Sequence, residues 1–119
     1  MINKVILQAK LMQDIELKKA GETTVGQIRL GTYYKKGGEN INQYYDAVAF
    51  GKTAEIMATH LRKLSPVIIE GELRYESWAD SEGKKKSAVK IIVNQFHFER
   101  GEAKPVASSE FQKEVDDLF

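Results

Sequence analysis

"YYDAVAFGKTAEIMATHLRK", residues 44–63, changes its hydrophobic period part-way along. Up to Phe50 the side chains alternate as they do on a strand, where successive residues point to opposite faces. Tyr45, Ala47 and Ala49 share one face, and Tyr44, Asp46, Val48 and Phe50 share the other. The two alanines suit a tight interior, so Tyr44 and Phe50 turn outward. Beyond Lys52 the period lengthens: Ala54, Met57, Ala58, Leu61 and Leu64 recur every three or four residues and make one apolar helix stripe. Thr53 suits the N-cap and Glu55 the first turn. Arg62 and Lys63 suit the last turn, and Ser65-Pro66 ends the helix.

Strands flank this strand–helix unit on both sides. Val5, Leu7, Ala9 and Leu11 alternate with Lys4, Gln8 and Lys10, interrupted by Ile6. "AGE", residues 20–22, supplies a turn into "TTVGQIRLGTYY", where Ile28 and Leu30 face one way and Gln27, Arg29 and Tyr33 the other. "KKGGEN", with Lys35 and Lys36, is a basic, glycine-rich hairpin connection to the third strand, residues 41–50. After the helix, "VIIEGELRYESW" is a fourth strand with Gly71 at a bend or bulge. "ADSEGKKK" makes a second hairpin, and "SAVKIIVNQFHF" is a fifth strand. Five strands with one helix between the third and fourth describe the OB-fold, a mainly β, Greek-key, five-stranded barrel. An open five-stranded α+β sheet is the alternative. Long strands with glycines at bends favour the barrel, because closing a sheet needs sharp local bending.

A chain of 119 residues, 42% hydrophobic and 29% charged, has the balance of one globular domain. Residues 1–100 carry the strand and helix patterns. Residues 101–119 combine Gly, Pro, Ala, Ser and charge with few large apolar groups, and are expected to be a flexible appendage. The net charge of +1 hides an asymmetry: that tail sums to −3, which leaves +4 on the body. A basic body with an acidic tail fits a nucleic-acid binder. No apolar run reaches the ~20 residues of a membrane span, and no secretory leader is expected at the N-terminus. The chain has no cysteine, so it forms neither disulfides nor thiolate metal sites, which fits a reducing compartment.

Signals for catalysis are sparse. His60 and His97 stand apart, on helix and strand, without a cluster at metal-ligand spacing. No phosphate-cradling glycine motif or nucleophile elbow occurs. Asp80 and Glu82 fall in a hairpin loop, where solvated turn acids are the ordinary reading. The aromatic residues say more. Tyr44 and Phe50 face outward, Arg74, Glu76 and Trp78 share a face, and so do Arg29 and Tyr33. Rings set among Lys35, Lys36, Lys52, Arg74, Lys84, Lys85 and Lys86 can stack bases and meet phosphates. The same rings could instead fill a core or a subunit contact.

"NKVIL", the opening stretch, "VIIEGELRYESWAD" and "KSAVKIIV" together resemble, in order and spacing, the bacterial and phage single-stranded-DNA-binding proteins. The resemblance implies an OB barrel, a homotetramer that wraps single-stranded DNA, no cofactor or metal, and work in replication, recombination and repair. It maps stacking aromatics onto Tyr44, Phe50 and Trp78, and phosphate contacts onto Lys4, Lys52, Lys63 and Arg74. A further family aromatic, in the hairpin after the second strand, has only Tyr33 or Tyr34 as out-of-register counterparts. Asp46 and Glu76 stand where the family often carries basic residues, which implies a weaker electrostatic contribution. The terminal "EVDDLF" resembles the family's acidic tip, so Asp116, Asp117, Leu118 and Phe119 are expected to dock replication and recombination proteins, although the tip lacks the usual proline. The location implied is the bacterial cytoplasm, for a bacterial protein or a phage protein in its host, and the short tail favours a phage or compact bacterial member. Two rivals remain open: an OB-fold interaction protein using Tyr44, Tyr45 and Phe50 at an oligomer interface, and a small OB-fold nuclease. The nuclease would need converging carboxylates, whereas Asp14, Glu16, Asp46 and Glu76 are scattered.

Overall fold

The computed structural model describes residues 1–98. Its elements in order are β1 (Val5–Leu11), β2 (Glu16–Ala20), β3 (Thr23–Lys36), β4 (Glu39–Phe50), α1 (Gly51–His60), β5 (Pro66–Ala79) and β6 (Lys85–Phe98). The strands run β1-β5-β6-β4-β3-β2, and β1 also pairs with β3. That extra pairing, Lys10 with Gly31 and Leu11 with Leu30, closes β1, β5, β6, β4 and β3 into a barrel. All pairings are antiparallel except β4–β6, where Ala47 meets Ile91 and Val48 meets Ile92 in parallel. The five-stranded closed barrel with one helix is the OB-fold expected from the sequence.

Counted along the chain, the helix falls between β4 and β5, because one short strand adds to the expected five. β2 continues the path of β1 after a break at residues 12–15, so the first barrel strand is used in two pieces. The first piece pairs with β5 along its length and with β3 at its end, and the second pairs with β3. All five residues of β2 are exposed, which removes the alternation that marks a half-buried strand.

The interior is aliphatic. Leu11, Leu30, Ala49, Val67 and Ile69 are fully enclosed, and Ala47, Ile91 and Val93 lie with them. Ala54 and Met57 of α1, with Leu61 just past it, belong to the same core, so the helix packs its apolar stripe onto the barrel. Its ends differ from the sequence expectation. The N-cap is Phe50, without a side-chain cap, and Thr53 lies inside the helix. Leu61 is already extended, and Leu64 sits outside the stripe, exposed, at a φ of 73°. Arg62 supplies the stop instead: its Nη1 donates to the carbonyl oxygens of Ala58, Thr59 and Leu61.

Two glycine positions shape the long hairpins. Gly37 and Gly38 both have positive φ, 59° and 84°, and make a two-residue turn that side-chain-bearing residues adopt poorly. Lys35 and Lys36 are consequently at the end of β3 rather than in a loop. At Gly71 a Cβ would meet the Ile92 carbonyl oxygen at 2.0 Å, so β5 and β6 approach too closely there for any side chain. The irregularity between Glu70 and Gly71 is the bulge expected at this position. The tail residues Asp116, Asp117, Leu118 and Phe119 lie outside the described residues.

Candidate nucleic-acid interface

Strand parity carries the outer side chains of β3 and β4 onto one surface. Arg29 is directly opposite Asp46, and its Nη1 donates to Asp46 Oδ1 at 2.7 Å. The same guanidinium lies 5.5 Å from the centroid of the Tyr44 ring, within cation–π range. On the other hairpin Lys90 is opposite Arg74, and its ammonium reaches Glu76 Oε1 at 2.8 Å. Trp78, three residues beyond Tyr75 on β5, is half exposed at 49%.

The parallel closure of β4 on β6 brings these two hairpin faces together. Between them lies a cavity of about 370 Å³. Gln27 and Arg29 of β3, Asp46 and Val48 of β4, Trp78 of β5 and Lys90 of β6 are among its lining residues. One aromatic wall, an amide and two cations in a single concavity form a surface that can hold a flat ring and an anion together. Both cations are held by acids. Each pair is solvent-accessible, so each stabilises the fold little.

The other sequence-derived candidates spread outward from this cavity. Phe50 is half exposed at the start of α1, and Lys52 is exposed in its first turn. Tyr33, Tyr34, Lys35 and Lys36 occupy the far end of β3. Arg74 Nη2 lies 3.8 Å from Glu72 Oε2. Lys84, Lys85 and Lys86 are exposed around the β5–β6 hairpin tip, where Asp80 Oδ1 accepts from the Glu82 and Lys84 backbone N–H groups. Lys63 is exposed beyond α1, and its backbone N–H donates to Asp14 Oδ1. Lys4 lies farthest along the outer face: its ammonium is 3.3 Å from Glu70 Oε1, eight residues along β5 from Trp78. His97 Nε2–H also donates to Glu70, at 2.6 Å. The hydrogen bond from His97, then that from Lys4, holds the Glu70 carboxyl below its ordinary value of 4.5, against a weaker opposing effect of desolvation.

Sequence reasoning passed over Gln27 as a partner, and Gln13, Ala88 and Lys90 altogether. Parity alone shows Lys90 facing outward between Val89 and Ile91. Its place beside Glu76 requires the β5–β6 register. Among the described residues no group of three or more His, Asp or Glu is placed to hold a metal ion. No described helix is long and apolar enough to cross a membrane.

Residues 2–99 match the single-strand binding protein family. The chain belongs to that family. It is 38% identical over 104 residues to the single-stranded DNA-binding protein of Helicobacter pylori, covering 82% of this chain and 58% of that protein. It is 37% identical over 100 residues to the single-stranded DNA-binding protein of Borreliella burgdorferi, covering 78% of this chain and 66% of that one. The chain thus matches roughly three-fifths of these relatives' own length. The family match spans all six strands and the helix.

Proposed function

We propose that this chain binds single-stranded DNA without catalysing any reaction on it, and does so with little dependence on sequence. The observation that carries this reading is the cavity between the two hairpins, where the half-exposed Trp78 ring shares one concavity with Arg29 and Lys90. Bases stack on Trp78, Tyr44 and Phe50, phosphates meet Lys52, Arg74, Lys90 and the Lys84, Lys85 and Lys86 tip, and Arg29 meets the strand inside the cavity. Every base offers a π-face, so stacking tolerates any sequence. The effect is thermodynamic: a protein that binds only the separated strand shifts melting by mass action. Replication, recombination and repair all expose such strands. Membership of the single-strand binding family, and relatives bearing that name, support the reading.

The deciding experiment titrates the full chain with single- and double-stranded oligonucleotides of the same sequence at several salt concentrations, following the fluorescence of Trp78, the only tryptophan. Quenching and tight binding by the single strand alone are expected. Equal binding to the duplex, or none to either, overturns the reading.

The finer proposal divides the chain into a DNA-binding barrel, residues 1–100, and an acidic tail, residues 101–119. Four copies assemble, and the tip at Asp116, Asp117, Leu118 and Phe119 docks replication and recombination proteins in a bacterial cytoplasm. The terminal acids and phenylalanine suit a small basic-rimmed pocket on a partner. Light scattering checks the assembly, with a monomer counting against it. Removing residues 114–119 should leave barrel folding and DNA binding in place and abolish capture of purified replication or recombination proteins. Retained capture would put the docking contacts on the barrel.

A further inference from the structure

We propose that the cavity between Trp78 and the Arg29–Asp46 pair is a guanine-selective base pocket, so that one position of a bound strand is read while the rest are not. The inference rests on the single-stranded DNA reading and deepens it. A carboxylate in a groove meant for a polyanion is unfavourable to phosphate, and neutralising Arg29 weakens the groove further. Asp46 does both: it is 65% exposed, lines the cavity, and occupies the nearest donor of Arg29. Facing a base instead of a phosphate gives its charge a favourable use.

The order of groups selects the base. Arg29 presents N–H donors, since a guanidinium has five and Asp46 engages one nitrogen. Beside it, Asp46 Oδ1 has a further lone pair, and Oδ2 has no partner among the described residues. The pair therefore reads donor, acceptor, acceptor along one edge. Guanine reads acceptor, donor, donor across O6, N1–H and the N2 amine, which complements all three. Thymine reads acceptor, donor, acceptor, and sets its O2 against the second carboxylate oxygen. Cytosine reads donor, acceptor, acceptor, which opposes the row throughout one way round and sets its N3 against a carboxylate oxygen the other way round, and adenine lacks a second adjacent donor. The indole of Trp78 supplies the wall on which the same ring can stack. Lys90, 2.8 Å from Glu76, stands on the same lining for the adjoining phosphate.

A well-formed bidentate base contact discriminates by about 5- to 150-fold. This one is open to water, which places the expected preference near the lower end, about 5-fold. The test uses the full chain and three oligomers of equal length: plain thymidylate, thymidylate with isolated guanines spaced too far apart to associate, and the same oligomer with inosine for guanine. Inosine keeps O6 and N1–H but lacks the N2 amine. Competition should rank guanine ahead of inosine and inosine ahead of plain thymidylate. In D46N the second acceptor becomes a donor, and the ratio between guanine-bearing and plain oligomers should fall to about one, whichever way the affinity for thymidylate moves. A circular dichroism melt confirms that D46N is folded. Equal binding of the three oligomers by the unaltered chain overturns the pocket while leaving DNA binding intact. A preference that survives in D46N overturns the role of the carboxylate. Failure of every oligomer to bind overturns both the pocket and the function on which it rests.

Discussion

The barrel body and the two hairpin arms are made of the same strands, yet equivalent positions fare differently in them. In the body the inward positions of β3 and β5, Leu30 and Ile69, are sealed. Farther along β5 the inward positions continue as Leu73 and Tyr75, opposite Ile91 and Val89 of β6. There Leu73 is 46% exposed, Tyr75 68% and Val89 56%. Alternation decides which face a side chain takes, but burial depends on whether another strand or helix lies across that face. The arms outrun the barrel, so their apolar side faces solvent. Their outer side carries Trp78, Glu76 and Arg74 on β5, whereas Arg29 and Asp46 lie on the outer face of the body, next to the sealed Leu30 and Ala47. The body supplies stability from its inner face, and its outer face and the arms supply surface.

Substitution of matched positions gives the largest contrast. Leu30→Ala should cost ~2–5 kcal/mol of unfolding free energy, as truncations in sealed cores do. Tyr75→Ala, on the inward face of an arm, should stay within ~0.5 kcal/mol. Urea titrations measure both, and similar losses would erase the distinction between body and arm. The contrast should reverse for binding. Trp78→Ala should leave the urea midpoint in place while weakening single-stranded DNA binding by ~1–3 kcal/mol, a range general to single-strand-binding barrels, this family included. Unchanged affinity would make that ring structural.

Smaller effects come from the ion pairs. Glu76→Gln releases Lys90 from its 2.8 Å partner and makes its charge available to a phosphate. The log–log salt dependence of binding should steepen by up to ~0.7, the single-strand contribution of one neutralised phosphate. An unaltered slope would mean that Lys90 does not face the strand.

The smallest effect lies on the outer barrel wall, at Glu70 between β1 and β6. Its carboxyl is held low by His97 and Lys4, so the folded state binds its proton less readily than the unfolded chain. This contribution is present above the ordinary value of 4.5 and lost as pH falls through the lower folded value. The group is only partly shielded from water, so the effect on melting temperature should be slight. It should appear only on the acid side, and Glu70→Gln should flatten that limb. A variant with the same acid dependence as the parent chain would remove Glu70 as its source.

How much of this was legible in the sequence depended on the range of the interaction involved. Ala47 and Ala49, spaced between rings and an acid, revealed both the strand and its inward face. Gly71 marked the place where β6 comes too close for a Cβ. β2 left no trace because a strand exposed along its whole length has no buried partner to impose a pattern. Leu64 extended the apolar period of the helix in sequence, but the chain leaves the helix at Leu61 and turns it outward. Of the cavity, Trp78 and Arg29 were visible as ring and cation. Their meeting with Asp46, Gln27 and Lys90 was not, since it depends on cross-strand register and on parallel closure between distant segments.

That closure also constrains the order in which the molecule can form. The β3–β4 hairpin is local and turns on two glycines, so it can assemble early. The barrel cannot shut until β6 is available to lie between β4 and β5. Asn3 must also find Leu73, where its side chain accepts from the backbone N–H and donates to the carbonyl oxygen across a separation of 70 residues. Distant pairings of this kind slow folding toward the millisecond-to-second range, because chain entropy is lost before the contacts form. During synthesis on the ribosome the first strands and helix therefore emerge with their apolar faces uncovered. Only emergence of the last barrel strand completes the enclosure, and that interval is when the young chain is most exposed to aggregation.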